Sequence, residues 1–556
     1  MANTLFGIIE LANHDDPLAN RKSARLFAAD LPANDPVGAV EAVTALLEAP
    51  SSARHPIDLA AAQAILELDR IVSPLHAQLR AQYRLTTVSE DVRQRLWRAC
   101  DRVARAFASI YERVCEALVP LAADNKTRAA LHGAFTRLFF YIGVQARHGL
   151  FRYERWIPGR WTTLHQAYSE ACRQGVVAES YVLDRAAQAD SQLSPEQEYL
   201  QVLLLHLLNT GNLSAQQIDR AAEWLGDWVT LLRLAIKQPE GEGYWLDLGQ
   251  GDGLIAHQPE QSAGELLYLD VNPLAAKLAE LTSQLAAEAA GAPAAGATSA
   301  QPGEPDYDIE LAGRLAVLWS PQAPQISRRG ERHTEQKSVT VALGWAEIAP
   351  ALTLSALQRS SAPAGYHYDD YGRLQPNRPG MIPAAESRKP DLNVWQIHDV
   401  SDSGYRIRTS VQQGGKMRLG WLLALRVEGE MRWQLGIVRR LKRLNSDQIE
   451  LGVEVISRAV TLIAPKSVAA RNLGYSVDGI DVGQKGESFN ALFLPGQSRA
   501  RSGSRPSLVL PPPEFTVGRT LSLVIDGHNY DVALAPPLER TKDWVWTPLE
   551  LGDWSA

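Results

Sequence analysis

From about Ala39 to Lys237 apolar residues recur at helical spacing. The clearest run is Leu96, Cys100, Val103, Phe107, Ile110, Val114 and Ala117. Its steps alternate between four and three residues, which predicts a helix with one apolar face that stops before Pro120. Thr87 and Glu90 ahead of it form a capping-box pair. Ser194-Pro195-Glu196-Gln197 combines an N-cap, a first-turn proline and a capping-box glutamine, and opens a helix over Tyr199 to Leu208. Gly211-Asn212 breaks it, and Ser214 with Gln217 starts the next, Ile218 to Ile236. The pair predicts a helical hairpin.

Past Lys237 the period shortens. Tyr244 to Leu248 and Leu267 to Asp270 read as strands of a small β module, followed by a short helix over Leu274 to Leu285. Ala286 to Pro305 is Ala/Gly/Pro-rich and reads as a tether, with Ile309 to Trp319 as a short helix leading out of it. From Ser338 to Gly344, and again before Asp399, apolar and polar positions alternate. Tyr405 to Thr409, Gly420 to Val427, Trp433 to Arg440 and Ile449 to Ile456 follow as strands at the rhythm of a barrel. Ala346 to Asn393 is far too long for a hairpin loop and is rich in Ser, Pro, Tyr and Gly, which predicts a functional or unstructured insertion. Val460 to Ile463, Phe489 to Leu494, Ser507 to Leu510, Leu521 to Ile525 and Tyr530 to Leu534 predict a second β domain, with Asp526-Gly527 as a turn.

At 556 residues the chain exceeds one core and suggests roughly three or four domains. A net charge of −7 argues against a general nucleic-acid coat or a polybasic membrane anchor. An anionic ligand would therefore have to meet a local basic site. Cys100, Cys115 and Cys172 show no CxxC spacing, so neither a disulfide framework nor a zinc site is indicated, and buried reduced thiols are expected. Met1 to Phe6 lacks a basic leader and no apolar run approaches the length of a bilayer span, which predicts a cytoplasmic protein without membrane insertion.

Two clusters carry recognition chemistry. Arg328-Arg329-Gly330-Glu331-Arg332 offers planar, permanently charged donors suited to phosphates and to the O6 and N7 acceptors of guanine. Asp399-Val400-Ser401-Asp402-Ser403-Gly404 offers acceptors for the N–H edge of guanine. On an extended segment Asp399 and Ser401 leave the same face, and Gly404 permits a turn or a close approach. Alone, an arginine cluster is by default a solvated linker, and D-x-S-x-x-G a turn between strands.

Together, R-x-x-x-R before a first strand and D-x-S-x-x-G before a later one resemble the two signature motifs of the PilZ family, β-barrel receptors for cyclic di-GMP. Gly436-Ile437-Val438-Arg439 and Leu451-Gly452-Val453-Glu454 are similar to that family's later strands. The resemblance covers about 328–457. It implies a PilZ-like barrel that binds cyclic di-GMP through Arg328, Arg329, Arg332, Asp399, Ser401 and Gly404, in a bacterial signalling protein. Arg373 and Arg378 in the insertion have the wrong spacing and receive no such role.

Two further resemblances are weaker. Trp161, Leu164, Tyr168 and Tyr181 fall at the large positions of a tetratricopeptide repeat, yet Val177 stands where a small residue belongs and no second copy follows in register. Tyr244 to Gly253 with Asp270 resembles the strand, glycine loop and ribose-binding acid of S-adenosylmethionine-dependent methyltransferases. Pro259 would break the helix such a loop must feed, and too few strands follow for a doubly wound sheet.

The expected architecture is multidomain α+β. It comprises an all-α helical array over 1–237, a small β module over 240–285 and a flexible tether over 286–320. A PilZ-like β-barrel over 325–460, with an insertion at 346–393, and a C-terminal β-barrel or sandwich over 461–556 complete it. The expected function is a non-enzymatic adaptor that couples cyclic di-GMP to a protein partner of the helical module. No metal, catalytic group, cofactor or nucleic-acid partner is expected. A PilZ-fold scaffold without nucleotide and a methyltransferase are the alternatives.

Overall fold

The computed structural model describes residues 16–50, 52, 56–84, 89–154, 156, 159–183, 193–236, 243–291, 304–322, 333–360, 366–368, 374–376, 389–414, 417–467, 488–496, 505–525 and 528–551. The chain forms two compact units, one from 1–291 with 308–325 and the other from 292–307 with 326–556.

The first unit begins with α1 (Arg21–Ala29), α2 (Pro36–Glu48), α3 (Leu59–Arg84), α4 (Glu90–Leu118), α5 (Asn125–Phe151), α6 (Gly159–Arg173), α7 (Pro195–His206) and α8 (Ala215–Trp228). The apolar face read from the sequence is the buried face of α4: Leu96, Cys100, Val103, Phe107, Ile110 and Val114 all lie in the core. Its cap is Ser89, whose hydroxyl accepts from the Val92 amide at 3.4 Å. The expected capping residue Thr87 lies outside the described residues. Both other capping boxes form: Ser194 with Gln197 opens α7, and Ser214 with Gln217 opens α8. Helix α5 is buried around most of its circumference and packs against α4 and α7. Of the repeat-like residues, Trp161, Leu164 and Tyr168 lie in the core and Tyr181 packs against it half-buried, with Tyr168 stacked on Tyr199 at 4.2 Å between ring centres. Cys100 and Cys115 are buried as expected, whereas Cys172 is exposed.

A three-stranded sheet of β1 (Leu234–Ala235), β3 (Leu266–Asp270) and β2 (Gly243–Asp247) closes this unit, in the order β1-β3-β2. Strands β2 and β3 are antiparallel, so the sheet is not doubly wound as a methyltransferase requires. The glycine loop is a turn. Asp247 accepts from the amides of Gly249 and Ala263, each at 2.9 Å, and a Cβ on Gly249 would lie 2.4 Å from the Ala263 carbonyl carbon. Asp270 accepts from the Asn272 amide at 2.9 Å, at the start of α9 (Asn272–Gly291). The stretch expected as a tether over 286–320 thus holds the end of α9 and all of α10 (Glu304–Leu318), whose Leu311, Ala312 and Leu315 join the helical core. The short helix expected over Ile309 to Trp319 is the greater part of α10.

The second unit opens on β4 (His333–Leu343) and α11 (Gly344–Ser360), with a small hairpin of β5 (Tyr366–Tyr368) and β6 (Leu374–Pro376). Then come β7 (Leu392–Ser401), β8 (Gly404–Ser410), β9 (Leu422–Val427), β10 (Gln434–Arg443) and β11 (Gln448–Ser457). Strands β10-β11-β8-β7-β4-β9 close into a six-stranded antiparallel barrel. Closure removes exposed strand edges, and the alternating apolar residues fill the interior. The insertion does not start as a loop: Ile348, Ala351 and Leu352 are buried at helical spacing on α11 against barrel residues such as Leu422 and Ala424.

The C-terminal sheet contains β12 (Thr461–Ile463), β13 (Lys466–Ser467), β14 (Ala491–Leu494), β15 (Ser507–Leu510), β16 (Thr520–Ile525), β17 (His528–Leu534), β18 (Glu539–Arg540) and β19 (Val545–Leu551). Its order is β12-β14-β15-β19-β17-β16-β13, with β18 on β19. The expected turn Asp526-Gly527 lies outside the described residues, between the antiparallel strands β16 and β17. Leu462, Leu492, Val509, Trp544 and Trp546 of the sheet share one core with Leu435 and Ile437 of the barrel.

Candidate functional site

The D-x-S-x-x-G segment is the hairpin between β7 and β8. Ser401 pairs with Gly404 across the turn, and the Ser401 hydroxyl donates to the Gly404 carbonyl at 3.1 Å. Gly404 is buried where β8 meets β11: a Cβ there would lie 1.9 Å from the Val453 carbonyl oxygen. The turn is tied to β11 by the Val455 amide, which donates to the Ser403 carbonyl at 2.9 Å.

Asp399 stands just before the turn, beside an irregularity that shifts the register between Ile397 and Asp399. Its carboxylate receives the Arg406 guanidinium at 3.0 Å, which fixes its direction. His398 brings Nδ1 to 3.5 Å from the same carboxylate without forming a hydrogen bond.

Asp399, Ser401 and Gly404 line one open groove of about 380 Å3 together with Tyr405, Arg406, Arg439, Arg440, Lys442, Glu450 and Glu454. That volume falls in the usual range of small-molecule sites. Burial raises the Tyr405 phenol above its ordinary value, although its bond to Gln434 at 3.0 Å opposes this. Burial by itself would lower the Arg439 guanidinium, but Glu539 and Glu454 outweigh it and raise it above the ordinary arginine range. Arg439 donates from Nε to Glu454 at 2.7 Å, and from its two Nη atoms to the two Glu539 oxygens at 2.6 Å each. Glu450 receives Arg408 at 3.1 Å. The groove thus pairs acceptors at the turn with a cationic wall.

Arg328, Arg329 and Arg332 lie outside the described residues. The strand that follows them begins at His333, which pairs with Val400, while Thr334 pairs with Asp399. Sequence reasoning missed Arg406, Arg439, Arg440 and Lys442. The alternation Arg406-Ile407-Arg408 was a legible signal of outward cations, but the two adjacent arginines of β10 were not, because a register irregularity separates them from the regular pattern. Among the described residues no group of His, Cys, Asp or Glu could hold a metal ion, and no helix is long and apolar enough to cross a membrane.

A closed six-stranded barrel with this motif at its β7–β8 turn is what defines a PilZ domain, and residues 369–461 match the family model described as "Cyclic-di-GMP receptor FimW, middle PilZ domain". The barrel is PilZ-like. Residues 22–240 match the model described as "Cyclic-di-GMP receptor FimW, N-terminal domain". Among curated proteins the chain is similar to the cyclic-di-GMP receptor FimW of Pseudomonas aeruginosa, with 24% identity over 344 residues, covering 54% of this chain and 55% of the relative. The chain therefore spans about half the length of the relative it matches. No solved structure matches it. The matched range includes Asp399 to Gly404 but begins after β4, and so leaves out 328–332.

Proposed function

We propose that the chain is a cyclic di-GMP receptor that binds rather than transforms its ligand. The observation that carries this reading is the convergence of Asp399, Ser401 and Gly404 on a groove with a cationic wall in a PilZ-like barrel. Guanine would present its N–H edge to Asp399, whose carboxylate Arg406 holds in place, and the phosphates would meet guanidinium donors. Arg328, Arg329 and Arg332 act as the clamp. Arg332 precedes His333, paired with Val400, and Arg328 is four residues further back. A fully extended stretch of that size spans about 15 Å, so each guanidinium has the reach to close on the groove.

The helical unit serves as the output module, engaging a protein partner in the cytoplasm. Its support is a core of its own and a separate match to the N-terminal domain of the same receptor. Equilibrium dialysis of the purified chain against cyclic di-GMP, with GMP and S-adenosylmethionine as competitors, tests the reading. Saturable binding displaced by neither competitor at equal concentration is expected. Retention of S-adenosylmethionine alone would replace the receptor by an enzyme, and retention of nothing would leave a PilZ-fold scaffold.

A further inference from the structure

The groove has a cationic element that neither signature motif contains. On β10, Val438 and Leu441 are both fully buried. Strict alternation would set them on opposite faces of the strand. Instead the register steps from Val438 opposite Val453 to Arg440 opposite Gly452, and this bulge directs both intervening residues, Arg439 and Arg440, to the groove. Gly452 makes the arrangement possible, because a Cβ there would lie 3.0 Å from the Arg440 Cβ.

The two guanidinium groups differ in freedom. Arg439 has three of its N–H donors engaged, one by Glu454 and two by Glu539, which leaves two for a ligand. Glu539 belongs to β18 of the C-terminal sheet. Arg440 is exposed and meets no partner among the described residues. One anchored and one unengaged guanidinium, side by side across a groove from a carboxylate and a hydroxyl, suit a phosphodiester.

We propose that β10 supplies a phosphate subsite through Arg439 and Arg440, and that Glu539 holds Arg439 in position for it. The inference rests on the nucleotide reading of the groove. It adds that the C-terminal sheet is a working part of the site. Because linkage is reciprocal, ligand in the groove would also strengthen the hold of β18 on the barrel.

Titration of the full chain with cyclic di-GMP tests this with Arg439→Ala, Arg440→Ala, Glu539→Gln and the double variant Arg439→Ala/Glu539→Gln, thermal unfolding being followed for each. Arg439→Ala and Arg440→Ala should each weaken binding about tenfold or more. Glu539→Gln should weaken it about threefold in the natural background and not at all once Arg439 is gone, since a positioning residue then has nothing to position. If Arg439→Ala unfolds the barrel, Arg439→Lys keeps the charge and should still lose affinity, because an ammonium cannot serve two carboxylates and a phosphate in the same fork geometry. Unchanged affinity in the arginine variants of a chain that binds would overturn the subsite. An equal effect of Glu539→Gln with and without Arg439 would overturn the positioning role. A natural chain that binds no nucleotide would overturn the reading of the groove itself, a result separate from both.

Discussion

Gly404 and Val453 approach so closely that any side chain at position 404 would collide with the Val453 carbonyl oxygen, 1.9 Å from where a Cβ would stand. The final residue of D-x-S-x-x-G is therefore demanded by the pairing of β8 with β11, before any ligand is considered. Gly404→Ala should destabilise the second unit by about 1–3 kcal/mol, the usual cost of forcing atoms into a packed site. Denaturant unfolding followed by tryptophan fluorescence measures it, and an unchanged midpoint would contradict the close approach.

The helical unit is built around a buried ion pair. Arg137 reaches Asp69 with Nε at 2.7 Å and Nη2 at 2.9 Å, and the Tyr111 and Tyr141 hydroxyls donate to the same carboxylate at 2.6 and 2.5 Å. Arg137→Met would strand the carboxylate without a cation and should cost about 3–5 kcal/mol. Urea denaturation of Arg137→Met beside Asp69→Leu/Arg137→Met checks the cause. The double variant should recover part of the loss, and a double variant as unstable as the single one would place the cost in packing instead.

Glu198 on α7 gives the stability a pH dependence of definite sign. Burial pushes its carboxyl up from 4.5 to about 7, against the weaker pull of Arg137, Arg147 and Arg80. The folded chain then holds a proton at Glu198 that the unfolded chain gives up, so stability falls as pH rises from 4.5 to about 7 and levels off above that. At about 1.4 kcal/mol per pH unit the fall attributable to Glu198 is on the order of 3 kcal/mol. Glu198→Gln should remove it. The measurement is the difference between natural chain and variant across that window, and a difference that stays flat with pH would show the carboxyl to be ordinary.

Strands β7, β8 and β11 were legible because each buries alternate residues on one side of a barrel wall, which imposes a period of two on the sequence, while β9 and β10, buried on both faces, read as continuous apolar runs. The turn residues Asp399, Ser401 and Gly404 were legible with them. What escaped has specific causes. Helix α11 lay inside a Ser/Pro-rich stretch, with Pro350 within it arguing against a helix although Ile348, Ala351 and Leu352 face the core. Strand β19 carries Pro548, which counts against a strand that pairs on both sides, yet it joins β15 to β17. Glu539 could not have been linked to Arg439 from sequence, since they are 100 positions apart and meet only because sheet and barrel share a core.

The clamp makes its own prediction. Removing a guanidinium that forms charge-assisted bonds to the ligand costs about 1.5–3 kcal/mol, or roughly 10- to 150-fold in dissociation constant. Arg328→Ala and Arg332→Ala should each weaken cyclic di-GMP binding by that amount with little change in thermal unfolding. Ser401→Ala should do less, as it removes one neutral hydroxyl already turned to the Gly404 carbonyl, and Arg373→Ala should do little. A loss at Arg373 with none at Arg328 and Arg332 would move the clamp into the insertion.

The central claim is that the groove beside Asp399 is a nucleotide site, and isothermal calorimetry of the full chain with cyclic di-GMP tests it most directly. The natural chain should give saturable heat at one class of site, and Asp399→Ala, which removes the acceptor held by Arg406, should abolish or greatly weaken it while the chain remains folded. Saturable heat that Asp399→Ala leaves intact would contradict the assignment of this groove, and no saturable heat from the natural chain would contradict the receptor.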